Sequence, residues 1–136
     1  MTPDQIITRL HVNGIKATPQ RVAVYAALMS LKHPCAEAVI AEVHRHHPAV
    51  SVATVYNTLE FFGKNGLVTK VFTGDNRMYF DTDLREHHHL CHPGRNEIAD
   101  YHDPELTRLI REYIRQRGIP GFRLEKINLQ LIGTIE

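Results

Sequence analysis

The residues best suited to chemistry lie in one stretch, Arg77 to Asp100, "RMYFDTDLREHHHLCHPGRNEIAD", where three consecutive histidines have carboxylates on both sides. Imidazole nitrogens and carboxylate oxygens are donors for a divalent cation. A shell of these without thiolate suits ferrous iron or manganese and also accepts zinc by affinity. In an extended strand successive side chains alternate faces, so His87 and His89 point one way and His88 the other. The H-x-H pair then acts as a two-nitrogen clamp. Asp81 lies upstream of it and Asp100 at the end of the next strand-like run, so both carboxylates could converge on the clamp. His33, in the turn between two helical segments, is the donor expected from the first half of the chain. Any one of these histidines is more often a solvated surface residue, but that reading does not account for the cluster. His88, Cys91, His92 and His102 are left without a role, and His44, His46 and His47 read as solvated cations near a helix end.

Several elements must position these donors. Pro3 opens a first helix that carries Ile6, Ile7 and Leu10 until Asn13-Gly14 stops it. Thr18-Pro19 repeats the start signal, and Val22, Tyr25, Leu28 and Met29 give a second helix from Pro19 to Leu31. A third helix, Ala36 to His46, ends before Pro48, because the residue before a proline is driven out of helical geometry. Ser51 caps a fourth, "SVATVYNTLEFFGKNG", closed by Gly66. "LVTKVF" and "RMYFD" follow as two β runs around the turn "TGDN". The remainder reads as strands "HHLC" and "EIADY", a helix from Asp103 to Gly118, and a last strand "FRLEKINLQLIGTI". The fold class is therefore α+β. A winged helix-turn-helix occupies residues 1–81, and a small α/β domain, expected to dimerise and sense metal, occupies residues 82–136.

In a helix-turn-helix the second helix enters the major groove. Here that helix has Val52, Val55, Leu59 and Phe62 as its expected core face, which leaves Tyr56 exposed beside Asn57 and Thr54. Ser51, Thr54, Tyr56 and Asn57 are the expected base-edge contacts, with Thr58 on the same polar face. Lys16 and Arg21, at the start of the second helix, would meet the DNA backbone or a neighbouring minor groove. A short helix-helix turn can also be purely structural; the exposed aromatic argues for reading.

Composition sets the outer limits. With 136 residues, 43% of them apolar, the chain can form one ordinary domain or two very small ones with a buried core. It has no apolar run of membrane length, and "MTPDQIITRL" lacks the signal-peptide pattern, so a cytoplasmic protein is expected. Cys35 and Cys91 form no CxxC pair and read as free thiols in a reducing compartment. The net charge of +1 is weak evidence for nucleic acid by itself. A three-histidine, two-carboxylate shell could also activate water or oxygen in a metalloenzyme. That alternative lacks a separate general base and leaves "SVATVYNTL" unexplained.

Taken in order, "ATPQR" (Ala17–Arg21), "HP" (His33-Pro34), "SVATVYNTL" (Ser51–Leu59), "GLV" (Gly66–Val68), "YFD" (Tyr79–Asp81), "HHH" (His87–His89) and "DPEL" (Asp103–Leu106) resemble the ferric uptake regulator family of dimeric bacterial metal-sensing repressors. The resemblance runs over nearly the whole chain. It implies operator contact by Tyr56 with Lys16 and Arg21, and a regulatory metal site of His33, Asp81, His87, His89 and Asp100. It also implies a homodimer on an AT-rich, pseudo-palindromic DNA operator, with one Fe2+ or Mn2+ per subunit and Zn2+ as a substitute. Relatives commonly hold a structural zinc with two CxxC pairs; here the matching region is "CHPGRN", and no structural zinc is expected. A second histidine/carboxylate site would need ligands near Thr107 and Ile127, which cannot ligate. Asp100 and Asn57 resemble the peroxide-sensing branch, in which ferrous iron and peroxide oxidise a ligand histidine. The triple histidine without CxxC also resembles the iron response regulator branch, which senses haem.

Overall fold

Four helices open the chain, and three of them start where the sequence supplies a capping hydroxyl. In the computed structural model, which describes residues 1–73, 77–95 and 97–134, α1 spans Pro3–Val12 behind a capping box. The Thr2 hydroxyl accepts the Gln5 N–H while the Gln5 side chain accepts the Thr2 N–H. Helix α2 (Pro19–Ser30) is capped by Thr18 through the Arg21 N–H, and α4 (Val52–Lys64) by Ser51 through the Thr54 N–H. Helix α3 (Ala36–His46) starts after Cys35 with no side-chain cap. Strands β1 (Thr69–Phe72) and β2 (Met78–Asp81) pair antiparallel. The "TGDN" turn expected between them falls largely on residues 74–76, outside the described residues.

The chain divides into two compact units, the first comprising Met1–Phe72 and the described residues 77–84, the second comprising Thr73 and the described residues from Arg85 onward. In the first, α1 to α4 and the β1-β2 wing enclose one core, with Leu10, Val24, Leu28, Val39, Leu59 and Phe80 all buried. The Tyr25 and Phe62 rings meet edge to face, 5.9 Å between centroids. Two expectations for α4 are corrected. Val52 is 47% exposed, because the first turn of the helix projects past the packed body that buries Val55, Leu59 and Phe62. Thr58 is buried, its hydroxyl donating to the Thr54 carbonyl, so it belongs to the core and not to the polar face.

In the second unit β3 (His88–His92) pairs antiparallel with β4 (Glu97–Tyr101) and parallel with β5 (Gln130–Ile132), and α5 (Pro104–Arg117) makes the crossover. The last strand is much shorter than the sequence pattern suggests. Before Gln130 the segment is held by individual bonds instead of a ladder: Glu86 accepts the Ile127 N–H, and His88 Nδ1 accepts the Leu129 N–H. The expected strand end at Ile135 lies outside the described residues. Among the described residues this unit fully buries only two apolar side chains, Cys91 and Ile127, while Leu109, Tyr113, Phe122 and Ile132 are exposed. Cys35 and Cys91 are not joined in a disulfide. Among the described residues no helix is long and apolar enough to cross a membrane.

Candidate metal centre and reading helix

Two of the five expected metal donors belong to the first unit. His33, between α2 and α3, has φ 42, left-handed backbone that a non-glycine residue adopts only where its surroundings enforce it. Pro34 follows, and its carbonyl accepts the Phe80 N–H at 2.8 Å, tying this turn to β2. As a result His33 Nε2 stands 3.5 Å from Asp81 Oδ2 at the end of β2. The other Asp81 oxygen, Oδ1, accepts the Asp83 N–H at 2.9 Å, which fixes the carboxylate.

The other three donors lie in the second unit. The β3-β4 register sets His89 directly opposite Asp100. Asp100 Oδ1 lies 3.0 Å from His87 Nε2 and 3.6 Å from His89 Nε2, and the two imidazoles are 4.8 Å apart between centroids. His87 Nδ1 is 2.5 Å from the Arg85 carbonyl, which can only accept, so this nitrogen carries the proton and Nε2 is the one presented. Both histidines are buried and Asp100 is partly exposed, an arrangement of nitrogen and oxygen donors that fits a borderline-hard divalent cation. His102, left unassigned by the sequence, stacks on His87 at 5.0 Å between centroids. Just beyond β4, it had no periodicity to announce it.

His88 does a different job. It is wholly buried, Nδ1 accepts the Leu129 N–H at 3.1 Å and Nε2 donates to the Thr107 hydroxyl at 2.6 Å, so both ring nitrogens are engaged. Alternation along β3 makes His88 a core hydrogen-bond bridge between the chain before β5 and α5. Nearby, the Ile127 N–H and the Arg111 guanidinium hold the Glu86 carboxyl below the usual carboxylate range.

The two-helix unit is closed by a residue read earlier as a solvated cation. His44 Nε2 donates to the Val50 carbonyl at 2.7 Å and sets the α3-α4 turn; His46 is exposed near Glu42. On α4, Tyr56 is 41% exposed and Asn57 is exposed. The Ser51 and Thr54 hydroxyls lie 2.8 Å apart while Ser51 caps the helix, so only one of their two protons stays available for a partner. Lys16 is exposed. Arg21, expected at the DNA backbone, has its guanidinium 4.1 Å from the Phe61 ring centroid and donates to the Lys16 carbonyl at 2.9 Å. It links the loop before α2 to α4.

The model of the ferric uptake regulator family matches residues 12–132. The peroxide operon regulator of Bacillus subtilis is 31% identical over 133 residues, 97% of this chain and 90% of its own. The peroxide-responsive repressor of Staphylococcus saprophyticus is 32% identical over 122 residues, 88% of this chain and 82% of its own. The ferric uptake regulator of Pseudomonas aeruginosa, solved with manganese, superposes with a TM-score of 0.77 at 28% identity, covering 100% of this chain and 99% of that one. The chain belongs to the ferric uptake regulator family, whose members are transcription regulators and not enzymes.

Proposed function

We propose that this protein is a homodimeric, metal-dependent repressor of the peroxide-responsive kind, with residues 1–81 reading DNA and residues 82–136 dimerising. One regulatory Fe2+ or Mn2+ per subunit would be held by His33 and Asp81 from the first domain and His87, His89 and Asp100 from the second; Zn2+ could replace it in vitro. The observation that carries this reading is that each unit separately aligns imidazole with carboxylate, at 3.5 Å in the first and at 3.0 and 3.6 Å in the second. A bound cation would supply positive charge that offsets the two carboxylates and, as ferrous iron, a reductant for peroxide. The chain's own residues set the rest: Arg85 orients His87, and the strained His33 turn presents its imidazole beside Asp81. A ligand that both domains bind favours the domain arrangement in which all five donors reach it, and so biases DNA affinity.

The two reading helices of a two-fold dimer would meet adjacent half-sites of an AT-rich, pseudo-palindromic duplex. Tyr56, Asn57 and the free proton of the Ser51/Thr54 pair would face base edges, Lys16 the backbone or minor groove, and Arg21 would position Lys16. "CHPGRN" offers no CxxC pair, so the dimer is held by apolar packing and not by structural zinc. The experiment is to expose iron-loaded protein to peroxide while following DNA binding. The expected result is release of DNA with oxygen added, by mass spectrometry, to His33, His87 or His89. Unmodified histidines together with haem binding and haem-driven release would replace the peroxide reading with the haem-sensing one.

A further inference from the structure

The first turn of α4 carries an apolar group that the fold does not use. Val52 is 47% exposed at the first residue of the helix, one turn before the exposed Tyr56, with exposed Ala53 beside it. Residues four apart on a helix are neighbours, so Val52 and Tyr56 form one ridge. A β-branched residue in an exposed helical position does nothing for the helix, since valine loses side-chain freedom there. The hydroxyls that flank it are turned to capping, Ser51 accepting the Thr54 N–H and contacting the Thr54 hydroxyl. At the N-terminal end of α4, the helix proposed to read DNA, the exposed surface is therefore largely methyl.

In the major groove one base edge carries a methyl group, the C5-methyl of thymine, and small apolar side chains recognise it. We propose that Val52, with Ala53, is a specificity-determining residue that packs on a thymine methyl in each half-site, discriminating thymine from cytosine without a hydrogen bond. This deepens the DNA-reading assignment of α4 and rests on it. The ridge is continuous with Tyr56 and Asn57, so the occupant is the same duplex those residues face.

The test uses the full-length protein loaded with Mn2+ and the duplex that the wild type selects from a random pool, with each thymine replaced in turn by deoxyuridine, which removes only the methyl. At one thymine per half-site the wild type should lose affinity about fourfold, the factor expected for one methylene-sized group returned to water. Val52→Ala, which removes the contact from both half-sites at once, should bind the thymine duplex more weakly by about the square of that factor and be indifferent to deoxyuridine at that position. Val52→Thr, which keeps the branched shape, should retain the discrimination. Equal thymine-over-deoxyuridine preference in wild type and Val52→Ala at every position would overturn the proposal, as would a selected duplex without thymine in its half-sites. Failure to select any duplex would instead remove the DNA-reading assignment on which it stands.

Discussion

At the scale of the residue, the three consecutive histidines separate into two chemistries. His87 and His89 face Asp100, whereas His88 bridges Leu129 and Thr107 inside the fold. Substitutions should separate the same way. Asp100→Asn, isosteric and partly exposed, should lower Mn2+ affinity by an order of magnitude or more in calorimetric titration while leaving the urea midpoint nearly unchanged. His88→Ala should cost about 3 kcal/mol in urea unfolding, from the cavity and the Leu129 N–H left unpaired. Arg21 gives a second case. Arg21→Lys keeps the charge but loses the planar contact with Phe61 and the bond to the Lys16 carbonyl, so stability should fall by about 0.5–2 kcal/mol and DNA affinity with it. A side chain that met only phosphate would tolerate lysine with no change in unfolding.

At the scale of the element, what could be read in advance was what is local. Helices α1, α2 and α4 begin at Thr2, Thr18 and Ser51 because a hydroxyl followed by a helix-forming run is a signal contained within one turn. Helix α5 begins the same way at Asp103, whose Oδ1 accepts the Leu106 N–H and whose Oδ2 accepts the Tyr101 hydroxyl. The Tyr101 hydroxyl and then the Leu106 N–H hold the Asp103 carboxyl below its ordinary value of 3.8. A carboxyl lowered in the folded state stabilises the protein above that ordinary value, and the stabilisation is lost as pH falls through the lowered one. Asp103→Asn should therefore melt at a lower temperature than the wild type near neutrality, with the difference closing in acid. A difference that persisted unchanged at low pH would assign the effect to the cap geometry alone.

Non-local features were not legible in that way. The β run from Phe122 onward shrinks to Gln130–Ile132 because a strand is defined by its partner, and β3 offers pairing only over those three residues. Val52 sits on the same 3.6-residue stripe as Val55, Leu59 and Phe62, and its exposure depends on where the rest of the domain stops covering α4. The stacking of His102 on His87 follows from the β3-β4 register, which no spacing in the sequence announces. In the candidate site, the donor types and the alternation could be read; the left-handed His33 turn and the Arg85 carbonyl that orients His87 could not.

At the scale of the whole molecule, the second unit exposes Leu109 and Tyr113 along α5 and all three residues of β5, while fully burying only Cys91 and Ile127 among its described apolar residues. So thin a core needs a partner, and a second copy supplies one by symmetry. Sedimentation should show a dimer at micromolar concentration. Leu109→Glu with Tyr113→Glu should shift it to monomer and weaken DNA binding by more than tenfold, since two half-sites are then no longer read together.

The proposed regulation requires donors from both domains to serve one cation whose binding sets DNA affinity. Its most direct measurement is the Mn2+ titration of operator affinity, by fluorescence anisotropy on the duplex selected by the wild type, for the wild type, His33→Ala and His89→Ala. Mn2+ should strengthen DNA binding by the wild type at least tenfold, and either substitution, one in each domain, should abolish that response while folding is retained. DNA affinity independent of Mn2+ in the wild type, or a full metal response in His33→Ala, would contradict it.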